Sequence, residues 1–361
     1  MKNFLAPILL LTLLFPSLAY GVTEDDLIKR DGIYYKKFTE VRFTGKVTGK
    51  TQGRFRNGIK HGPWVNYYGN GQLVSKGTYK DGKEDGPWFR YWNNGQLGSK
   101  GTYKDGKEDG TWISYWNNGQ LWTKGTYKDG KREGPWVSYN VNRQLDFVGT
   151  YKDGKKHGTW ISYVKGQLQK KMTYKDDKWN GPWVSYHKNG KLDSQGTYKD
   201  GKKHGPWVSY NVKGQLQKKI TYKDDNWDGP WVNYYGNGQL DSKRTYKDGK
   251  KDGPWVFYHE NGQLSFKETW KDDEAVDGPR VSYHENGQIF NKTTYKDGKR
   301  EGPWVSYYEN GQLSSRTTWK EGNMDGTSVF YDENGQLLIK ETHKNGKLTS
   351  KETYKNGEKV K

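Results

Sequence analysis

Short runs of aromatic and β-branched residues alternate along the chain with short polar runs. One such stretch reads WVSYY (304–308), then ENGQ (309–312), then QLSSRTTWK (312–320) and a Glu-Gly turn. Trp, Tyr, Val and Thr favour strands. Asn-Gly and Asp-Gly favour tight turns, because Gly takes a positive φ at no steric cost and Asn tolerates one. The pattern predicts a β-hairpin and a second turn that joins it to the next hairpin.

This pattern recurs twelve times at intervals of 24 residues, except for one interval of 23 near residue 164 and one of 25 near residues 274–276. Gly stands two residues before the Trp position in all twelve units, beginning with Gly62 and Gly86. Tyr stands three residues after it in all twelve, beginning with Tyr67 and Tyr91. The Trp position is held by Trp64, Trp88, Trp112, Trp136, Trp160, Trp183, Trp207, Trp231, Trp255 and Trp304, and by Arg280 and Ser328 in the two remaining units.

The even period restores the same facing in every unit, because successive strand side chains point to opposite faces. Trp is therefore expected to stack beside Trp across neighbouring units, and Tyr beside Tyr. One hairpin cannot bury such a stripe, but a stack of hairpins can. The predicted fold is all-β: an elongated antiparallel β-meander, a solenoid-like array of about twelve 24-residue β-hairpin repeats.

Composition alone points to disorder, because Leu, Ile, Val and Phe make about a sixth of the chain and the net charge is +19. The 17 Trp and 28 Tyr change that picture. A buried Trp or Tyr hides roughly 150–250 Å². We therefore expect an ordered protein with an aromatic core. There is no Cys, which excludes disulfides.

The two ends differ from the array. Residues 1–21 have a positively charged start, an apolar run and small residues at a cleavage point, so they are predicted to be a cleavable signal peptide of a secreted or periplasmic protein. An uncleaved anchor is the alternative, but the run is short and contains two prolines. Residues 22–60 are interpreted as a lead-in or capping hairpin, 61–342 as the twelve repeats, and 343–361 as a degenerate capping repeat.

Few residues point to catalysis. No two of the seven His have metal-ligand spacing, and Asp and Glu recur periodically at turns. Asp176-Asp177, Asp224-Asp225 and Asp272-Asp273 lack the spaced pattern of a calcium loop. No nucleophile elbow, phosphate loop or dinucleotide motif occurs. The many Gly are interpreted as turn residues. We predict no catalytic, cofactor-binding or metal-binding residue and no enzyme activity.

The basic charge and five extra Trp residues are the candidate binding features. Lys occurs in every unit, so it should form rows that attract anionic partners, although solubility and edge protection explain it too. Five Trp lie outside the strict column and can stack on sugars or anchor a protein partner, unless they only pack between hairpins. These candidates are Trp92, Trp116, Trp122, Trp179 and Trp227.

The repeat resembles a known family. YKDGKKHGPWVSY (198–210) followed by GQL (214–216), and the lead-in FTGKVTG (43–49), resemble the MORN-repeat variant found in bacterial proteins labelled as YwqK-type antitoxin components. The resemblance covers about residues 43–346. It implies an elongated antiparallel β-array with roles in binding and scaffolding, for proteins or membrane lipids, and without catalysis.

Together these features predict an exported, non-enzymatic repeat scaffold. Its basic, aromatic-rich surface would bind a protein or an anionic envelope component, such as a lipid head group or a glycan. No specific nucleic acid partner, cofactor or transmembrane segment after signal cleavage is expected. Two alternatives remain: an antitoxin-like inhibitor of one toxin, and an envelope-glycan-binding or hydrolytic protein. The oligomeric state stays open.

Overall fold

The computed structural model describes residues 21–360, and the regular elements in that part of the chain are β-strands apart from one 3-10 turn, Glu24–Asp26. The all-β prediction is confirmed. The predicted signal peptide lies outside the described residues except for Gly21. Within residues 21–360, no helix has the length and apolar character needed to cross a membrane.

The chain divides into two compact units, Met1–Gln144 and Leu145–Lys361. Inside each unit, strands that follow one another along the chain pair antiparallel. Each unit is therefore an antiparallel β-meander of hairpin repeats, as the sequence predicts.

Each repeat has an outgoing strand, which carries the Trp position, and a return strand, which carries the Thr-aromatic-Lys motif. The outgoing strands are Ile59–Tyr67, Gly86–Tyr91, Lys107–Tyr115, Lys131–Tyr139, Lys155–Val164, Lys178–Tyr186, Lys202–Tyr210, Asn226–Tyr234, Gly253–Tyr258, Gly278–Tyr283, Gly302–Tyr307 and Gly326–Tyr331. The return strands are Leu73–Lys80, Leu97–Lys104, Leu121–Lys128, Leu145–Lys152, Gln167–Lys175, Leu192–Lys199, Leu216–Lys223, Leu240–Lys247, Leu264–Lys271, Ile289–Lys296, Leu313–Lys320 and Leu337–Lys344.

The remaining strands are short pieces and end segments. Two-residue strands precede five of the outgoing strands, at Lys83–Glu84, Lys250–Lys251, Glu274–Ala275, Lys299–Arg300 and Asn323–Met324. The N-terminal segment forms Leu27–Arg30, Ile33–Lys36, Gly45–Val47 and Thr51–Arg56, and the C-terminal segment forms Lys347–Lys355 and Glu358–Val360.

The pairing register is the same from one repeat to the next. In the first repeat Trp64 lies opposite Gly77 and Val65 lies opposite Lys76, and a β-bulge follows before Tyr67. The same offsets and the same bulge recur in later hairpins. Every repeat thus presents equivalent residues to the same face of its sheet, because cross-strand partners share a face.

The two kinds of turn use positive φ differently. At the Asp-Gly turn between repeats both residues are left-handed, with φ of 48° at Asp81 and 80° at Gly82, which is the type I′ geometry of a tight hairpin. At the Asn-Gly turn only the glycine has a positive φ, 84° at Gly71. The side chain of Asn70 instead accepts the N–H of Gln72 (3.1 Å) and donates to the carbonyl of Asn93 in the next repeat (3.3 Å).

The buried core is a line of alternating Trp and Tyr rings. Tyr79, from the Thr-Tyr-Lys motif, packs edge-to-face between Trp64 and Trp88, with ring centroids 5.8 and 5.4 Å away. The same alternation continues through Tyr103 and Trp112. Direct Trp-on-Trp packing between neighbouring repeats, as expected from the sequence, occurs at Trp183 and Trp207 (5.2 Å). In the first repeats the Tyr of the Thr-aromatic-Lys motif lies between, because its ring is on the same face of the intervening strand, and Trp270 takes this place beside Trp255 (5.6 Å).

Glycines in the middle of strands make room for this core, five of them in return strands and Gly53 in the N-terminal segment, so the interpretation of the glycines as turn residues is incomplete. A Cβ on any of six of them would overlap an indole ring. Each indole lies flat on the Cβ-free backbone, and this contact helps to bury Trp64, Trp88 and Trp112. These seat glycines are Gly53, Gly77, Gly101, Gly125, Gly149 and Gly196.

The N-terminal segment copies the core pattern without a full repeat. Phe55 packs edge-to-face on Trp64 with centroids 5.0 Å apart, nine residues before it, at the spacing that Tyr79 has to Trp88. Phe43 and Tyr34 pack on Phe55 in turn. The first Trp is therefore 1 % exposed although no complete repeat precedes it.

Candidate functional surface

Strand alternation divides the side chains of each sheet between two faces. One face, here the aromatic face, carries the Trp position, the seat glycines and the Tyr of Thr-Tyr-Lys. The opposite face, here the basic face, carries Val65 with Lys76 and Pro63 with Thr78 in the first repeat, and the equivalent residues in later repeats. The two faces use their cations differently.

Cations on the aromatic face are part of the packing. Lys or Arg four residues before the Trp position lies over the indole, at 4.2 Å for Lys60 on Trp64 and 4.7 Å for Lys203 on Trp207. Lys156, Lys251 and Arg300 make the same contact with the Trp of their own repeat. These ammonium and guanidinium groups cover ring faces in cation–π contacts and are occupied.

On the basic face the cations of the return strands form a row, and in the described part of the chain two of them lie near a ring, Lys76 at 5.2 Å from the Phe89 centroid and Lys219 at 6.0 Å from that of Tyr234. Ten of the twelve return strands carry Lys or Arg two residues before the invariant Thr, and nine of the ten side chains are exposed, Lys100 being half-buried. None of the ten makes an ion pair within 4.0 Å in the described part of the chain. This lysine row consists of Lys76, Lys100, Lys124, Lys171, Lys219, Lys243, Lys267, Lys292, Arg316 and Lys340.

A second set of cations lies on the same face, at the Lys of every Thr-aromatic-Lys motif, and all twelve are exposed. Two of these contact carboxylates: Lys271 lies 3.2 Å from Asp252, and Lys223 lies 3.9 Å from Asp228 and 3.7 Å from Asp248. Asp248 belongs to an Asp-Gly turn, whereas Asp228 and Asp252 directly precede the invariant Gly of the outgoing strand. These carboxylates offset part of the second charge, and no cation of the lysine row makes such an ion pair within residues 21–360.

The geometry of the lysine row follows from the register. Lys243, for example, lies between Val232 and Val256 on the neighbouring strands, and Lys267 lies between Val256 and Val281. Successive cations are thus two strands apart, about 10 Å. In the second unit six consecutive repeats, from Lys219 to Lys340, carry the cation, so that stretch spans about 48 Å before twist.

Three of the predicted Trp candidates are brought to the basic face of the first unit. Trp122 shares the strand face of Lys124, is 40 % exposed and packs on Trp116 with centroids 5.0 Å apart. Trp92 donates from its indole N–H to the carbonyl of Tyr115 (3.1 Å), and Trp116 donates to that of Tyr139 (3.1 Å). These rings therefore join neighbouring repeats while Trp122 stays accessible.

The other two candidates, Trp179 and Trp227, lie on the opposite, aromatic face. Each takes the place of the cation that covers the indole in other repeats. Trp179 packs on Tyr198 (4.8 Å), and Trp227 packs on Trp231 (4.7 Å) and Tyr246 (5.0 Å). The structure therefore does not gather the five candidates into one site.

The polar residues considered for metal or acid–base chemistry have structural contacts. His187 bonds through Nε2 to the carbonyl of Tyr210 in the next repeat (2.9 Å), the contact that Tyr68 makes through its hydroxyl. The second Asp of each Asp pair accepts a backbone N–H of the previous repeat, as Asp177 does from Lys156 (2.8 Å). Residues 21–360 contain no group of three or more potential metal-binding side chains.

Two repeats without Trp have polar substitutes on the aromatic face. Arg280 lies over the ring of Tyr295 (3.9 Å) and 3.8 Å from Glu268, which stands where other repeats have the seat glycine. Ser328 is fully buried, and its neighbours include Glu341, which lies 3.9 Å from His343. The Ser, His and Glu here do not form a nucleophilic site, because a substrate has no access to the Ser328 hydroxyl.

Burial of the core tyrosines shifts their ionisation. Burial, with the nearby Glu84 carboxylate and its hydrogen bond as smaller causes, raises the pKa of Tyr79 to about 12. Burial is also the main cause that raises the pKa of Tyr34, Tyr103, Tyr198 and Tyr246. These rings are neutral packing elements at physiological pH, not acid–base groups.

Comparison of the sequence with family models identifies the type of repeat. The MORN repeat variant model matches more than half of the chain, at residues 60–81, 84–105, 108–129, 179–200, 203–224, 227–248, 251–272, 276–297, 300–321, 324–345 and 343–356. The chain belongs to the MORN repeat variant family. Nine of the ten lysine-row cations lie inside matched MORN repeats.

Other comparisons give more distant likenesses. No curated protein matches the chain. Among solved structures, a crystal structure of TcdB2-TccC3 matches 86 % of this MORN-repeat chain at 13 % identity and a TM-score of 0.18. The Photorhabdus luminescens Tc holotoxin pore matches 82 % at 14 % identity and a TM-score of 0.17. This chain spans 20 % and 18 % of the length of those two chains.

One functional feature was not resolved by the sequence reasoning. The sequence predicts rows of Lys, but it does not distinguish the stacked cations of the aromatic face from the lysine row of the basic face. The signal was present in the Lys-x-Thr-x-Lys spacing of the return strands, which puts both Lys on one face. What the sequence does not show is which face is occupied by packing.

Proposed function

We propose that this chain is a non-enzymatic binding scaffold whose basic face holds an anionic partner. The observation that carries the proposal is the lysine row: ten cations in equivalent positions, nine of them exposed and none in an ion pair within residues 21–360. Lys60 and Lys203 on the aromatic face are, by contrast, stacked on indoles of the core. A row of exposed cations without ion pairs is available to an external anion.

Three substitutions in the row test the proposal. The variant Lys243→Gln, Lys267→Gln, Lys292→Gln removes three unpaired charges from exposed positions of one unit. We expect the full chain to bind a carboxylated monolayer on a sensor surface, and the row variant to bind it at least tenfold more weakly, because each ammonium contributes a screened attraction.

The matched control is Lys165→Gln, Lys188→Gln, Lys213→Gln, which removes three exposed charges at loop positions of the same unit, outside the row. It should bind within about twofold of the parent, with an unchanged melting temperature in all three proteins, since exposed substitutions usually change little. Equal losses in both variants would reduce the binding to net charge and reject the row as a site.

We also propose that the protein is exported after cleavage of residues 1–21. The composition of that segment supports this, and so does the lack of Cys in the rest of the chain, which makes the fold independent of redox state. N-terminal sequencing of the chain recovered from the periplasm or medium should begin within a few residues of position 22. Recovery of a chain that begins at Met1 from the cytoplasm would contradict it.

A further inference from the structure

In the second unit the lysine row runs across the strands. Its cations from Lys219 to Lys340 lie on every second strand and follow one another across the sheet, not along a strand. From Lys219 to Lys340 there is no interruption over six repeats. A partner that contacts all six cations must therefore extend about 48 Å across the strands. The convex surface of a compact protein would contact only a few of them.

The residues around the row offer little besides charge. On the neighbouring strands the cations from Lys219 to Arg316 are flanked by Val on both sides, and Val side chains neither donate nor accept hydrogen bonds. Lys340, at the end of the stretch, lies between Val329 and Glu352. The row thus lacks the varied donors and acceptors that read a specific sequence or a specific sugar. The row therefore suits a polymer of identical units that each carry a negative charge.

The strip beside the row is open. Thr and Pro alternate next to it, as Thr269 does with Pro254 and Pro279. A cleft of about 310 Å³ there is lined by Lys267, Arg280 and both prolines, and its lining also includes Glu268 and Asp277. Beyond the strip lies the second set of cations, about 13 Å along the strand from the first. Carboxylates pair with two cations of that second set, Lys223 and Lys271, whereas no cation of the lysine row makes an ion pair within residues 21–360.

Resting on the proposed function, we propose that the anionic partner is a linear phosphate-bearing polymer that lies along the lysine row of the second unit, across its strands. Lys presents a compact ammonium point charge, which binds phosphate without a fixed geometry. With one cation about every 10 Å, a flexible polymer meets every cation in turn. Affinity then accumulates from many weak contacts, and it grows with polymer length until the row is filled.

Polyphosphate of defined length is the probe. We expect the full chain to bind long polyphosphate, of about 50 units, on the order of 100-fold more tightly than triphosphate, by avidity. The slope of log affinity against log salt for the long polymer should fall by about 2 in the variant Lys243→Gln, Lys267→Gln, Lys292→Gln, at ~0.7 per lost contact for a flexible single strand. The control Lys165→Gln, Lys188→Gln, Lys213→Gln should keep the parental slope.

The outcomes separate the two proposals. Row-dependent binding to the carboxylated monolayer, with equal affinity for triphosphate and long polyphosphate, would overturn the linear polymer and leave the anionic scaffold standing. Row-dependent binding to vesicles containing anionic lipid, with none to long polyphosphate, would point to a membrane surface and also overturn the polymer. Long polyphosphate bound equally by the row variant and the control variant would overturn both proposals.

Discussion

At the scale of single residues, the core depends on contacts between a Trp ring and a glycine on the neighbouring strand. Trp112 lies on the backbone of Gly101, and its indole N–H donates to the carbonyl of Thr102 (3.2 Å). Where Met172 or Ile220 occupies the seat position, the following Trp183 and Trp231 are only half-buried. Glycine at the seat therefore favours deep burial of the next indole, although Trp255 is also buried with Arg244 at its seat position.

The seat predicts a strong effect from one added methyl group. Gly101→Ala should destabilise the protein by about 1–3 kcal/mol, because the new Cβ overlaps the Trp112 ring and forces it to move. Gly69→Ala is the matched control, since a Cβ there meets no atom within 4 Å and its φ is not positive. Urea unfolding midpoints compare the two. Equal midpoints for the two variants would contradict the claim that Trp112 requires a glycine at position 101.

Arg280 and Glu268 predict a coupled pair of substitutions. Their side chains, only 16 % and 13 % exposed, replace the Trp and the glycine of other repeats. Arg280→Trp should clash with Glu268, and Glu268→Gly should leave Arg280 without its carboxylate. The double variant restores a Trp on a seat. We expect it to be more stable than the sum of the single effects by about 1–3 kcal/mol, measured in a double-mutant cycle. Additive effects would contradict the pairing.

At the scale of elements, the repeats are joined by bonds that each repeat makes to the next. Side chains after the invariant Tyr bond to the backbone 23 residues later, as Tyr68 does to Tyr91 and His187 to Tyr210. Turn asparagines do the same, as Asn189 does to Val212 (2.7 Å). Contacts are therefore between neighbours in sequence, which is the condition under which a repeat can be removed whole.

Deletion of residues 202–225, one repeat between two turns, should leave a folded protein. Trp231 then takes the position of Trp207 and meets Gly196, its seat, at the usual spacing. Deletion of residues 202–213 removes an outgoing strand and brings two return strands together. Differential scanning calorimetry should give a cooperative transition near the parental temperature for the first and a strongly lowered one for the second. Equal melting temperatures would contradict these boundaries.

The sequence predicts the hairpins and their period well, because Trp, Gly and Tyr columns are direct consequences of packing. It does not predict that Tyr79 comes between Trp64 and Trp88, since which strand faces meet depends on the register and on the bulge before Tyr67. Nor does it separate Trp122, on the basic face, from Trp227, in the aromatic packing. To assign each Trp to a face, one must know where its strand begins and ends, because side chains alternate between faces from that point.

At the scale of the whole molecule, the core tyrosines predict sensitivity to alkali. The pKa of Tyr79 in the fold is about 12, above the ordinary value near 10. Its contribution to stability is therefore complete below about pH 10 and is lost as the pH rises through about 12. Unfolding midpoints in urea should fall over that window, and less steeply in Tyr79→Phe. Identical pH profiles for the two proteins would contradict the buried phenol.

The protein thus has an aromatic face whose cations are used in packing and a basic face whose lysine row makes no ion pair within residues 21–360. Lysine acetylation of the folded full chain, followed by mass spectrometry with and without long polyphosphate, tests this division most directly. We expect fast modification of Lys243, Lys267 and Lys292, slow modification of the stacked Lys203 and Lys251, and protection of only the first group by polyphosphate. Equal rates for both groups, or protection that does not favour the row, would contradict it.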